Sequence, residues 1–127
     1  MTIPPQPGFV PPSPYPAAPV LAEAVWYGTE ELWTALDARG TYHPRKGVWW
    51  SKSFRGGEIE PKPDIAVVWR RLDVSAAPVA AGSPGTNAHT PQDGWFMIAG
   101  IDPHESGCWE VTASYRGAKL VYVYLAP

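Results

Sequence analysis

The sequence predicts an all-β protein, an antiparallel β-sandwich of about seven strands that follows a proline-rich N-terminal arm. Short apolar segments recur between turns rich in Gly and Pro. No helical pattern is long enough to cover a parallel sheet, and the stretch 108–125 alternates in polarity about a two-residue turn. Strand segments of this kind without helices are typical of two packed antiparallel sheets.

The chain divides into a proline-rich arm or tether over 1–19 and a folded domain over 20–127. Eight of the 16 prolines lie in the arm, and because proline lacks the amide hydrogen and fixes φ, polyproline II is the expected local state. Three states stay open: a free tail, a spacer of roughly 50 Å at ~3.1 Å per residue, or an arm packed on the domain or a neighbour. Phe9, Val10 and Tyr15 would give a packed arm side chains to bury.

Strands are expected over four apolar segments of the domain's first half: 20–27, 31–36, 48–54 and 65–72. The second segment also resembles a helix start, but it closes after barely two turns, which favours a short strand. Successive side chains of a strand point to opposite faces, so Trp49 and Trp50 cannot both face the same core. Ile65, Val67 and Trp69 should line one face of their strand.

The second half of the domain is expected to begin with a loop and end with a hairpin. Residues 73–93 are mostly Ala, Pro, Ser and Gly, and a loop of this length is usually a binding loop or a mobile segment. The segment 94–101 is apolar on both faces, as a strand in a sandwich core can be. Strands 108–115 and 118–125 flank Arg116-Gly117, where glycine supplies the left-handed conformation of a bulged hairpin turn.

Charge and composition exclude several classes of function. The net charge is −2 and the pI about 5.9, and because the basic residues are scattered, no nucleic-acid partner is expected. No run of about 18 apolar residues is present, so no transmembrane segment is expected. The single cysteine, Cys108, excludes an intrachain disulfide.

The segment Glu105-Ser106-Gly107-Cys108-Trp109-Glu110-Val111 is similar to the Asp-x-Gly-x-Tyr-x-Cys stretch at the start of strand F in immunoglobulin domains. The resemblance implies an immunoglobulin-like fold, with Trp109 in the place of the corner tyrosine and Val111 in that of the second disulfide cysteine. Trp49 or Trp50 would correspond to the buried strand-C tryptophan. The cysteine pair is missing, and we expect that Trp109 cannot copy the tyrosine's hydrogen bond to the backbone. The resemblance concerns the fold and not antibody function.

A wider resemblance covers most of Val25 to Leu125. The chain resembles a group of uncharacterised bacterial cell-envelope proteins, often lipoprotein-like, in the motifs Trp26-Tyr27-Gly28-Thr29, Leu32-Trp33, Trp49-Trp50-Ser51, Pro63-Asp64, Arg70-Arg71-Leu72-Asp73 and the closing Gly107-Cys108-Trp109-Glu110-Val111-Thr112. The resemblance implies a location in the cell envelope or outside the cell, an export signal removed from ahead of Met1, and an arm that can tether the domain to a membrane. A cytoplasmic location is the alternative. The resemblance implies no catalytic residue.

Aromatic residues are the best candidates for a binding site. Because Trp49 and Trp50 point opposite ways, one of them should lie on an outer sheet face, where a ring can stack on a sugar or anchor a protein contact. Trp69 lies beside Arg70 and Arg71 in the sequence, and one of these arginines would add a cation–π partner. The candidate binding residues are Trp49, Trp50, Trp69, Arg70, Arg71 and His89.

No motif predicts catalysis, and no cofactor is expected. Asp102, His104 and Glu105 place three candidate metal ligands in one loop, but no recurring zinc spacing is present, and a solvated turn has the same composition. Cys108 would need a neighbouring base to act as a nucleophile, and a small buried thiol is the simpler interpretation.

The first functional hypothesis is a non-enzymatic module that binds an unknown protein or glycan through its aromatic sheet face or its loops. A protease-inhibitor-like protein would instead present the loops at one end of the sandwich. An assembly subunit would donate its arm as a strand to a neighbour's sheet edge. A metal-dependent enzyme would be built around the 102–108 loop.

Overall fold

The computed structural model describes residues 1–20, 23–39, 46–81, 84–101 and 105–126. This part of the chain contains nine strands and no helix, so no helix within it could cross a membrane. The strands are β1 (Ala24–Thr29), β2 (Leu32–Asp37), β3 (Lys46–Trp49), β4 (Ala66–Arg71), β5 (Val79–Ala80), β6 (Thr86–Thr90), β7 (Gly94–Ile101), β8 (Gly107–Tyr115) and β9 (Ala118–Ala126).

The strands pair antiparallel in two layers. One layer has the hydrogen-bonded order β5-β4-β8-β9. The other consists of β1-β2 and β3-β7-β6, which are joined where Trp33 and Trp50 exchange two backbone N–H···O hydrogen bonds of 2.9 Å. These five strands therefore form a single layer in the order β1-β2-β3-β7-β6.

The interior lies between the two layers, and this arrangement confirms the predicted all-β sandwich. Ile65, Val67 and Trp69 are each at most 1% exposed, as their alternation predicts. The five-stranded layer faces them with Leu32, Leu36, Trp49, Met97 and Ala99. The indole N–H groups of Trp49 and Trp69 find no acceptor among the described residues, so these rings are stabilised by their apolar area and not by hydrogen bonds.

The hairpin formed by β8 and β9 is the best-predicted element of the chain. Its inward side chains, Trp109, Val111, Ala113 and Tyr115, are at most 2% exposed. The strands are joined by two residues in the left-handed region, Arg116 at φ 47° and Gly117 at φ 82°. The predicted bulge is absent, because two successive left-handed residues already match the twist of the flanking strands and Tyr115 pairs directly with Ala118.

Two segments differ from their predicted form. The stretch 73–93 was expected to be a loop without strands, yet it contains β5 and β6. The sequence signal is weak there because β6 is a half-exposed edge strand of mainly polar residues. Strand β3 ends at Trp49 and not at Phe54, because the chain turns at Ser51, whose hydroxyl accepts the amide of Ser53.

The N-terminal arm forms a partial third layer over the outer face of the five-stranded sheet. That face carries a cluster of three buried tryptophans, Trp26, Trp33 and Trp50. The rings of Phe9 and Tyr15 lie 5.7 Å and 5.0 Å from the ring of Trp33. The arm is thus packed on its own domain, the third of the states considered above, and it is neither a free tail nor an extended spacer.

Hydrogen bonds fix the arm along its length. The indole N–H of Trp26 donates to the carbonyl of Pro16 (3.0 Å), and the amide of Phe9 donates to the carbonyl of Trp26 (3.2 Å). At its start, Thr2 donates its amide to Val123 of β9 and accepts the Val123 amide through its hydroxyl. The arm therefore covers part of the free edge of β9 as well as the tryptophans.

Replacing Phe9 with alanine should lower the free energy of unfolding by about 1–3 kcal/mol, less than for a fully buried phenylalanine because Phe9 is half-buried. Urea denaturation measures the change. The control is Val10→Ala, at the adjacent arm residue, which is 65% exposed and should alter stability by less than about 0.5 kcal/mol. Equal stability of the two variants would contradict a packed arm.

Candidate functional site

The three tryptophans proposed as contacts are all buried. Trp49 and Trp50 do lie on opposite faces of their layer, as predicted, but neither is open to solvent. Trp49 (0% exposed) and Trp69 (1%) belong to the interior between the sheets. Trp50 (6%) belongs to the outer cluster beneath the arm, so the expectation of an exposed ring at one of these positions is wrong.

Trp95 is the exposed tryptophan of the molecule. All seven tryptophans are described, and Trp95 is 39% exposed while each of the other six is at most 6% exposed. The sequence did not single it out, because the segment 94–101 is apolar throughout and suggests a fully covered strand. The signal that would have identified it is the pair Gly56-Gly57, which leaves room for a large side chain from a neighbouring strand.

The ring of Trp95 lies directly on the backbone of Gly56. A Cβ atom at Gly56 would be 2.2 Å from ring atom Cδ2 of Trp95, so any larger residue at this position would have to displace the ring. Gly57 extends this support and has a left-handed φ of 68°. His89 stands opposite Trp95 across the β6–β7 pair, with ring centroids 5.0 Å apart and an interplanar angle of 54°. We call these four residues the Trp95 platform.

Glu60 anchors the loop that carries the two glycines. Its carboxylate accepts hydrogen bonds from the Tyr115 hydroxyl (2.5 Å), the Arg116 guanidinium (2.9 Å) and the Arg55 amide (3.1 Å). Asn87 of β6 donates to the Glu60 carbonyl (2.9 Å). Burial, and after it the hydrogen bond to Glu60, raises the pKa of Tyr115 above its ordinary value of 10.0. The glycine support is therefore tied to the core at Tyr115.

The two predicted arginines are engaged in structural ion pairs. Arg70 pairs with Glu110 on the adjacent strand at 3.0 Å, and Arg71 pairs with Asp73 at 3.0 Å. The hydrogen bond from Arg71 holds the pKa of the Asp73 carboxyl below its usual range. Surface pairs of this kind contribute little stability, and they leave neither guanidinium uncompensated for a ligand.

The predicted cation–π contact has a different partner. Arg71 lies over the ring of Trp109, at 5.5 Å from the centroid, because the β4–β8 register places these two residues opposite each other. The indole N–H of Trp109 donates to the carbonyl of Glu105 at 2.9 Å. The expectation that Trp109 could make no such bond to the backbone was wrong, since an indole N–H can replace a hydroxyl donor.

The 102–108 loop shows no metal centre in its described part. Asp102 and His104 lie outside the described residues, and Glu105 pairs with Arg71 at 3.4 Å. Within the described ranges no group of three or more His, Cys, Asp or Glu side chains could hold a metal ion. Cys108 is half-buried on β8, and its strand alternation places it on the face turned away from the core.

No protein-family model, no curated protein and no solved structure matches this chain. The chemistry of the Trp95 platform itself indicates what it can bind. It offers a flat apolar ring held from below, with the imidazole of His89 beside it as a polar group. Such a surface suits a ligand with one apolar face and polar groups at its rim.

The Tyr115→Phe variant should lose less stability at alkaline pH than the wild type does. The pKa of Tyr115 is higher in the folded protein than in the unfolded chain, so the hydroxyl ionises first in the unfolded chain. The free energy of unfolding therefore falls as pH rises above about 10, by up to about 1.4 kcal/mol per pH unit. Urea denaturation of both proteins at intervals from pH 8 to pH 12 measures this slope. A slope in Y115F as steep as that of the wild type would contradict the assigned shift.

Proposed function

We propose that this chain is a non-enzymatic binding module of the cell envelope or the extracellular space, and that it contacts a glycan through the Trp95 platform. The observation that carries the proposal is the one exposed tryptophan ring in a molecule that covers the other six. An aromatic face stacks on the C–H face of a sugar ring and excludes water there. The neighbouring His89 can exchange hydrogen bonds with sugar hydroxyls.

Rigidity of the platform supports this function. Trp95 rests on Gly56, and the loop of Gly56 is held by Glu60 through Tyr115 and Asn87. A contact residue that is already fixed in its bound position loses little conformational entropy on binding. A protein partner that uses the same ring as an anchor is the alternative ligand.

We infer further that the sandwich is immunoglobulin-like. The order of β4, β8 and β9 agrees with that of strands C, F and G in immunoglobulin domains, with β5 in the place of C′. The order of β3, β7 and β6 agrees with B, E and D. Under this assignment the strand-C tryptophan is Trp69 and not Trp49 or Trp50, because β3 belongs to the other layer.

The location rests on the resemblance to bacterial envelope proteins. In such a protein the packed arm would place the domain close to its anchor, since most of the arm's length lies along the domain. A module held near a bacterial surface meets peptidoglycan and other polysaccharides, which agrees with a glycan ligand.

Trp95→Ala should strongly weaken binding to insoluble polysaccharides. The probes are peptidoglycan sacculi, chitin and cellulose, and co-sedimentation of the purified full chain measures the bound fraction. Loss of a central tryptophan should weaken affinity by about 30-fold, the equivalent of about 2 kcal/mol. Gly56→Ala should weaken it as well, because the added Cβ displaces the ring while Trp95 itself remains.

Val121→Ala is the matched control. Val121 is about as exposed as Trp95 (42%) but lies on the outer face of the four-stranded layer, so its loss should leave binding unchanged. Circular dichroism checks that each variant is folded. The glycan function would be refuted if the wild type bound none of the three polysaccharides, or if Trp95→Ala bound as well as the wild type.

A further inference from the structure

A second aromatic site lies on the opposite face of β7. Trp95 and Phe96 are neighbours whose side chains point to opposite faces of the strand, and Phe96 contacts the outer tryptophan cluster. There the end of the arm and the sheet line a cavity of about 210 Å³ that opens to solvent. We call it the outer cavity; its described walls include Trp26, Trp50, Phe96, Thr34, Asp93 and Pro19.

Three inclined rings give the outer cavity its shape. Trp26 meets Trp50 edge to face, with centroids 4.8 Å apart and an interplanar angle of 73°. Phe96 is tilted by 47° against Trp50 at 5.5 Å. Trp26 and Trp50 are only 2% and 6% exposed, so they lie at the bottom of the cavity, and the half-buried Phe96 is the most accessible of the three rings.

Every side-chain hydrogen-bond donor in the described walls is already engaged. The indole N–H of Trp26 donates to Pro16, that of Trp50 donates to the carbonyl of Asp93 (3.1 Å), and the Thr34 hydroxyl donates to Val48 (2.7 Å). A ligand that is anionic or rich in hydroxyl groups would find no side-chain donor here, and burying it would leave its acceptors unsatisfied.

Charge selects among the remaining ligands. Asp93 is the one charged residue among the described walls, which include no Lys, Arg or His. Its carboxylate accepts the hydroxyl of Thr90 (3.0 Å) and forms no ion pair with a described residue. Aromatic rings attract cations through their negative faces, so the rings and the carboxylate favour the same sign of ligand charge.

We propose that the outer cavity binds a small soluble quaternary ammonium compound such as choline. A quaternary ammonium has a positive charge and no N–H group, so it needs neither donors nor acceptors from the walls. Aromatic rings are the surroundings in which such cations are recognised, and Asp93 adds an acidic residue to the wall. The volume is below the range of about 300–1,000 Å³ for drug-sized ligands, which fits one ammonium headgroup.

Isothermal titration calorimetry of the full chain with choline chloride tests the proposal. The paired probe is 3,3-dimethylbutan-1-ol, which has the shape of choline with carbon in place of the charged nitrogen. Choline should bind at least tenfold more tightly than this neutral isostere. Sodium chloride at matched concentration corrects for ionic strength.

Two variants test the named residues. Asp93→Asn should weaken choline binding about tenfold and leave the isostere unchanged, because only the charge is removed. Phe96→Leu should also weaken choline, since it keeps an apolar wall but removes a ring. Glu58→Gln is the matched control, because it makes the same charge change at an exposed site outside the cavity walls, and it should bind choline like the wild type.

Several outcomes would overturn the proposal. Equal binding of choline and the isostere would show an apolar cavity without cation recognition. No heat of binding up to about 50 mM choline, about fifty times a Kd of 1 mM, would exclude the site. Binding to phosphatidylcholine vesicles without binding of free choline would identify a lipid surface as the ligand. None of these results depends on the Trp95 platform, so they leave the glycan function to its own test.

Discussion

A sheet with apolar side chains on both faces must be covered on both sides, and the remainder of this structure follows from that constraint. The five-stranded layer presents Trp49 and Met97 to the sandwich interior and Trp26, Trp33 and Trp50 to the other side. The four-stranded layer can cover only one face. The arm covers part of the other, and its composition suits that task, because proline has no amide hydrogen that would need an acceptor when it is placed against apolar rings.

The outer cavity is a consequence of how the arm ends. The rings of Phe9 and Tyr15 cover Trp33, whereas the chain near Pro19 and Val20 forms a wall beside the two remaining tryptophans and does not fill the space above them. Cover and binding site are therefore made by the same segment. A change in the position of the arm would alter the shape of the cavity and the exposure of its rings, while the interior between the two sheets would keep its own contacts.

Strict alternation of apolar and polar side chains made part of this fold predictable from sequence. The residues of β4, β8 and β9 alternate because one face of each strand is buried, and the hairpin turn is fixed by two adjacent residues. Alternation also places Trp49 and Trp50 on opposite faces, but it cannot tell what covers each face. The rings that pack on Trp50, Trp26 and Phe96, come from other strands and lie at least 24 positions away in the chain. Strand β6 carries too few apolar residues to be recognised as a strand. The candidate site was missed for the same reason: the exposure of Trp95 depends on Gly56, in a distant loop.

Exposure of Trp95 has a physical cost, because burial of its ring would stabilise the fold, as burial of the other six tryptophans does. The fold does not close over it. Instead Tyr115, an interior residue, sends its hydroxyl to Glu60, and Glu60 holds the loop whose glycine backbone lies under the ring. A ring exposed by mere lack of cover would not need a support of this kind. Hydrogen bonds connect the core through a carboxylate to a loop whose glycine lets the ring rest on its backbone. A fixed contact surface requires such a support, and this is the reason to regard Trp95 as a binding residue and not as an uncovered part of the core.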